Sequence, residues 1–413
     1  MIKEYFTFTN TQTMFRIENN KIDSQKNVNT ISKSVRVFDP NTKTVGLAPA
    51  RGNTPDEILE QKATDLLSLK IPYNYDLEKD TKAVFTKEKL NITSSMFLES
   101  FTDSILNDLK DLTKHFVISG NTTIEQTKKT IKNTLGLDLA LNRSYIGCHI
   151  ALKQKESGNI SDAANGFRKF EINNKNYIQF IKNTQFIANA CLSNIIPLET
   201  KNYKVLFNNI LYKLYSDIIG HTYEEGTSVL TGKLNQKITN ENINIYESYD
   251  DEKETTFIPF DDEGVIRNEN LYIIKNGVLT NILYDKTRAS KYNKKTTGNG
   301  FRSYNSNTNI SCRTLEFDKV DVKASDLISE DIVIVPLLAN GGDFLPNGNF
   351  SLPVQFALVY KNGVFVGKAP QITLTGNYLN CMNDNFIALG TNDILPETLE
   401  STLVLSDIRV NVN

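Results

Sequence analysis

Two Asn-Gly pairs constrain this chain more tightly than any other feature. Lys275-Asn276-Gly277 separates the run LYII (271–274) from VLTNILY (278–284), and Lys361-Asn362-Gly363 separates FALVY (356–360) from VFVG (364–367). Both central positions of a two-residue hairpin need positive φ, which Asn and Gly adopt at little cost, so each pair fixes two antiparallel strands. Asn347-Gly348 offers a third turn. The chain beyond about residue 200 therefore reads as mostly β, with a short helix from Ser325.

The first half is mixed. Val35 and Val37 alternate with Ser34 and Arg36, the chain turns at Asp39-Pro40-Asn41, and Val45 and Leu47 return it, so a hairpin is predicted over 34–47. Thr54 as N-cap, Pro55 at N1 and Glu57 at N3 form a capping box for a helix whose apolar face carries Leu59, Ala63, Leu66 and Leu67. A second helix starts near Ser95 and carries Phe97, Phe101, Ile105, Leu109 and Leu112. A third is expected through Ile124, Ile131 and Leu135, ending at Gly136. Strand-like residues 146–152 and a helix through Phe180, Ile187 and Cys191 complete this half. At 413 residues the chain is too long for one ordinary core. The expected fold class is α+β: a mixed α/β N-terminal and central region, residues 1–197, then a β-rich, barrel-like C-terminal domain, residues 198–413.

A formal net charge of −2 excludes nucleic-acid binding by bulk electrostatics, which needs clustered Lys and Arg. The longest apolar run, Ile332 to Ala339, contains Pro336 and is too short to span a bilayer. The start, MIKEYFTFTNTQ, has no apolar signal-peptide core, and Cys148, Cys191, Cys312 and Cys381 are widely spaced. These features predict a cytoplasmic protein with reduced thiols.

Few chemical motifs survive inspection. Five residues separate Gly226 from Gly232-Lys233, and Leu234 stands where a phosphate loop needs a hydroxyl. Histidine is the limiting ligand type: the chain has His115, His149 and His221. Cys148 and His149 are adjacent, and neighbours on a strand point to opposite faces. His221 has the richer setting, with Asp217 before it and Glu224 and Glu225 after it at the end of an apolar, helix-like stretch (205–226). A functional reading makes Asp217 a general base and His221 a metal ligand; the structural reading is a helix end with a solvated acidic rim. A catalytic zinc needs three protein ligands, which this neighbourhood does not offer, so the residues alone favour the structural reading. Asp261-Asp262-Glu263 and Gly341-Gly342-Asp343 read as solvated turns.

Several ordered islands carry a family resemblance: FDDEGVIRNENLYIIKNGVLTNILYDKTRASKY, then TTGNGFR, then GNFSLPVQFALVYKNGVFVGKAPQITLTGNYLNCMNDNFIALGTND. In these the chain resembles the TldD/PmbA family, whose PmbA branch is also called TldE and was once labelled a modulator of DNA gyrase. VRVFDPNTKTVGLAPA and the helix after it resemble the family's N-terminal segment. The resemblance implies a dimer enclosing a cavity that peptides can enter. In the TldD branch, an HExxxH segment and a later cysteine hold zinc and hydrolyse unfolded peptides. The matching hexapeptide here is Ser216-Asp217-Ile218-Ile219-Gly220-His221, in which only the last histidine remains, and the residues after Asp393 include no cysteine.

The resemblance therefore implies a TldE-like subunit that is not catalytic alone. Ser216, Asp217 and His221 are what is left of the motif, and His221 is its one candidate ligand. No cofactor is expected in this chain; zinc is expected in a TldD-like partner bearing HExxxH, and the substrate is an unfolded or extended peptide. No membrane or nucleic-acid partner is expected. The alternatives are a stand-alone homodimeric peptide-binding protein without chemistry, or a divergent metallopeptidase using Asp217 and His221.

Overall fold

The structure, a computed structural model, describes residues 1–88, 95–207, 210–249, 257–328, 332–394 and 402–413. Its first half is one long sheet with helices packed on it. Strands β1 (Ile2–Glu18) and β2 (Lys21–Asp39) pair along their whole length, and β3 (Thr44–Arg51) returns beside β2, as the 34–47 hairpin required. Helix α1 (Asp56–Asp65) packs Leu59 and Ala63 against Val35 and Val37. It begins one residue later than expected, so Pro55 is the N-cap and, with no side-chain acceptor, makes no cap; the Thr54 carbonyl accepts Lys33 Nζ at 3.2 Å.

Then come β4 (Lys82–Lys87), α2 (Ser95–Asp108), β5 (Phe116–Asn133), β6 (Asp138–Gln154), β7 (Ala163–Lys169) and α3 (Asn174–Leu192). The sheet order is β3-β2-β1-β5-β6-β4, with β7 also on β6. The third helix expected through Ile124 and Ile131 is instead strand β5. Seven residues apart, the two isoleucines lie on opposite faces of the strand. Both are buried, Ile124 beneath α2 and α3 and Ile131 in a separate cluster with Phe6, Leu139 and Phe260. The sheet is covered on different faces at its two ends, which produces a helix-like spacing.

The second half opens with β8 (Lys201–Phe207), α4 (Ile210–Asp217) and α5 (Gly220–Glu224). A small sheet follows from β9 (Ile245–Glu247), β10 (Leu271–Lys275) and β11 (Val278–Leu279), then α6 (Lys286–Lys291), β12 (Gly300–Phe301), β13 (Asn309–Ile310) and β14 (Leu315–Phe317), which pairs with β9. Helix α7 (Ala324–Leu327) leads to β15 (Ile332–Ala339), β16 (Asp343–Phe344), β17 (Asn349–Lys361), β18 (Val364–Lys368) and β19 (Ile372–Asn377). Helix α8 (Tyr378–Cys381), β20 (Phe386–Thr391) and β21 (Thr402–Val412) come last. At the two Asn-Gly turns φ is 50° and 76° for Asn276 and Gly277, and 50° and 75° for Asn362 and Gly363, as the hairpin reading demands.

Strands β8, β21, β19, β17 and β15 each pair with the next, and β15 pairs back to β8, so five strands close a barrel. The α+β class with a barrel-like second half is what the chain forms. Along the barrel strands successive residues alternate between two cores. Val205, Ile334, Val359 and Val404 face one, with Leu214 and Tyr378 of α4 and α8. Leu206, Val333, Leu358 and Leu405 face the other, where they meet Ile105 of α2 and Ile187 of α3. The barrel is thus coated on one side by the first half of the chain. Among the described residues no helix is long and apolar enough to cross a membrane.

Candidate functional site

The stretch read as a helix leading to His221 is two helices. α4 stops at Asp217 because Ile219 is extended (φ −70°, ψ 126°) and pairs with Leu283. Leu283 N donates to Ile218 O and Gly220 N to Leu283 O, both at 2.9 Å. Gly220 is required at this crossing, since a Cβ would stand 2.6 Å from the Tyr284 ring. His221 therefore begins a new helix, and Asp217 and His221 do not share one.

Asp217 is 3% exposed and points inward. Its Oδ2 accepts Lys213 Nζ at 2.7 Å, one helical turn back, and the Tyr378 hydroxyl at 2.8 Å. Burial and then the Asp217 charge push the Tyr378 phenol far above its ordinary range, so it stays a donor. Ser216 is exposed; its hydroxyl donates to Lys213 O at 2.9 Å and lies 3.2 Å from Lys213 Nζ. His221 is half-buried, and its Nδ1 has no hydrogen-bond partner among the described residues.

These contacts decide what the site can do. A general base must reach the proton it abstracts, and the Asp217 oxygen that faces Lys213 and Tyr378 is spent in the interior. An ammonium 2.7 Å from that carboxylate repels an incoming cation. Among the described residues no group of three or more His, Cys, Asp and Glu side chains is placed to hold a metal. Ser216, Asp217 and His221 do not fit zinc, which takes anionic or imidazole ligands in a convergent set. Sequence reasoning missed Lys213 and Tyr378. The Lys-x-x-x-Asp spacing was a readable helix pair; Tyr378, on α8, was not readable.

The other singled-out residues lie elsewhere. His115 and His149 are exposed, and Cys148 is buried on the opposite face of β6, as strand geometry requires. Cys381 is buried, and burial pushes its thiol up to about 12. Asp343 is exposed, in line with a solvated turn.

Asp261, Asp262 and Glu263 correct the reading as a solvated turn, for all three are buried. Asp261 Oδ1 accepts the backbone N–H of Glu263 and of Val265, each at 3.0 Å, and Oδ2 accepts Gly300 N at 2.9 Å. Asp262 takes Lys129 Nζ of β5 and Arg302 N, each at 2.8 Å. Glu263 Oε2 accepts Lys286 N at 2.7 Å. The acids hold one turn together and fasten it to the N-terminal sheet. Burial, followed by the neighbouring Asp261, raises Glu263 well above the carboxylate range, and burial raises Asp261 as well. Beside them Glu247, fully buried, takes Arg267 Nη1 and Asn299 Nδ2, with Arg313 Nη1 at 3.5 Å.

Residues 200–411, a little over half of the chain, match the model of the PmbA/TldA metallopeptidase C-terminal domain. An uncharacterised protein of Methanocaldococcus jannaschii is 25% identical over 311 residues, 75% of this chain and 71% of that protein. A metalloprotease of Archaeoglobus fulgidus is 30% identical over 182 residues, which span 41% of this chain and 40% of its own length. A PmbA homologue of Buchnera aphidicola is 28% identical over 225 residues, 52% of this chain and 48% of that protein. Against these metalloproteases the match spans less than half of their length. Among solved structures, TldE from Thermococcus kodakarensis superposes with a TM-score of 0.80 at 18% identity, covering 100% of this chain and 97% of that one. At that identity the likeness is one of fold.

Proposed function

Because the chain belongs to the PmbA/TldD metallopeptidase family, we propose that it is the non-catalytic, TldE-like member of a two-subunit zinc peptidase. In this reading a TldD-like partner bearing HExxxH supplies the zinc and the hydrolytic step. This chain shapes the chamber and holds an extended peptide, by main-chain pairing along a sheet edge. The observation that carries the reading is the buried Lys213–Asp217–Tyr378 contact. Where the family motif puts a water-activating glutamate, this chain has a carboxylate already committed to an ammonium and a phenol. The exposed Ser216 hydroxyl in the first ligand position is a poor substitute for imidazole. The same contact disfavours a divergent metallopeptidase acting through Asp217 and His221.

Zinc analysis tests the proposal. The chain purified alone is expected to carry no zinc and hydrolyse no peptide. Co-expressed with an HExxxH-bearing homologue, it should co-purify in a complex that holds zinc and cleaves unfolded peptides. Near-stoichiometric zinc in the lone chain, lost on His221→Ala, would overturn the reading.

A further inference from the structure

A cavity of about 500 Å³ opens between the β2–β3 hairpin, residues 71–75 and the segment 307–309 beside α6. Its lining combines polar Arg36, Tyr75, Arg288 and Thr308 with apolar Val45, Leu47 and Ile71; Leu47 lies directly across the ladder from Arg36. Arg36 is 6% exposed, yet it lines this space.

The charges beside these polar residues are unevenly shared. A single oxygen, Glu4 Oε1, accepts Arg36 Nε at 2.8 Å and Arg302 Nη2 at 3.3 Å, and lies 2.6 Å from Arg36 Nη2. One carboxylate thus serves two guanidiniums. Three other nearby cations have their own acid: Lys129 with Asp262, Lys286 with Glu78, and Arg288 with Asp285. Glu263 is raised above the ordinary carboxylate range, first by burial and then by the neighbouring Asp261. Burial, and then the Arg36 charge, bring Arg302 down to about 10. Burial pushes the Tyr75 phenol up to about 12, so near neutrality it is a hydrogen-bond donor. Against the cost of burial, Glu4 keeps Arg36 charged, but Arg36 and Arg302 share that one carboxylate, and an added negative charge beside Arg36 would relieve the pair.

We propose that this cavity binds the free carboxylate end of a peptide whose last side chain is apolar. The carboxylate lies against Arg36 and the Tyr75 hydroxyl, and the side chain packs on Val45, Leu47 and Ile71. One carboxylate shared by two guanidiniums leaves room for a single added negative charge, which a peptide carboxylate supplies and a phosphate dianion exceeds. The inference rests on the peptide-handling part of the proposed function and is independent of the zinc-bearing partner.

The test is fluorescence anisotropy with the full chain and an N-terminally labelled Gly-Ala-Leu, as free acid and as C-terminal amide. The acid is expected to bind at least about tenfold more tightly than the amide. Tyr75→Phe should weaken the acid severalfold and leave the amide unchanged. Arg36→Met leaves Glu4 with Arg302 and should erase the difference; Arg36→Gln, which keeps a neutral donor toward Glu4, should erase it too. Inorganic phosphate should compete poorly. Equal affinity for acid and amide, a preference that survives both Tyr75→Phe and Arg36→Gln, or competition by phosphate as strong as by the acid overturns the proposal. A chain that prefers the acid yet forms no zinc-bearing complex would sink the accessory-subunit reading and leave this one standing.

Discussion

The two regions that hold Asp217 and the 261–263 acids differ in how their buried acids are satisfied. At the end of α4 one carboxylate, Asp217, meets one ammonium, Lys213, on its own helix, and one hydroxyl, Tyr378. At the joint between the halves, acids from 261 to 263, Glu4 and Glu247 are matched by arginines, a lysine and backbone amides from other segments. Arg302 reaches Glu4 and Lys129 reaches Asp262 from the opposite half of the chain. The α4 region sits where a family motif promised chemistry and is a closed, balanced pair. The joint reads in sequence as a solvated turn and is a desolvated network between the halves. Desolvation with an uneven partner set, more than the presence of a motif, marks where an electrostatic site can form.

The sharpest way to break this contrast is Glu247→Ala. It leaves Arg267 and Arg313 buried without their shared acid, and should cost about 3–5 kcal/mol, read as a lower urea midpoint at pH 7. A loss below about 1 kcal/mol would mean that the joint is no more interdependent than a surface cluster. Next in size, Lys213→Met strands Asp217 and should cost about 3 kcal/mol, whereas Lys213→Met/Asp217→Asn should regain more than half of that. The double variant should still bind no zinc by elemental analysis. Tyr378→Phe removes one hydrogen bond to a carboxylate and should cost roughly 1.5–2 kcal/mol, and only about 0.5–1 kcal/mol once Asp217 is Asn, whose amide oxygen accepts the phenol as a neutral partner.

The smallest effect is a pH dependence confined to the joint. Glu263 is raised in the folded chain, chiefly by burial, so the folded state holds its proton where the unfolded state has released it. Its contribution is full below the ordinary glutamate range and is lost as pH rises through the raised folded value, with a slope of at most about 1.4 kcal/mol per pH unit. Unfolding midpoints of the parent chain should fall across that window, and Glu263→Gln should flatten the fall. A parent whose stability rises with pH there would remove Glu263 as its source.

Much of this architecture was legible. Local signals with a local cause held: the Asn-Gly hairpins, the apolar stripes of α1 and α2, and the β-rich second half. Failures came where a distant segment decides. Ile124 and Ile131 imitate a helix because two different neighbours cover the two faces of β5. The Asp-Asp-Glu run is buried because Lys129 and the 300–302 backbone reach it, which no spacing reveals. Arg36, set among Val35, Val37 and Phe38, carried a hint, since a charge inside so apolar a strand needs a partner. Its partner Glu4 lies directly across the ladder, in a register that the sequence leaves open.

The closing order of the barrel has a consequence for the protein as it is made. β8 is the first barrel strand to be synthesised, and β21, its antiparallel neighbour, is the last. About two hundred residues separate them, so at roughly 5–20 residues per second the ribosome takes on the order of 10–40 s between the two. For that interval Leu206 and the apolar faces of α2 and α3 have no finished barrel to settle against. The nascent chain should therefore depend on chaperones until β21 has left the exit tunnel, and stalling before residue 402 should release an aggregation-prone product.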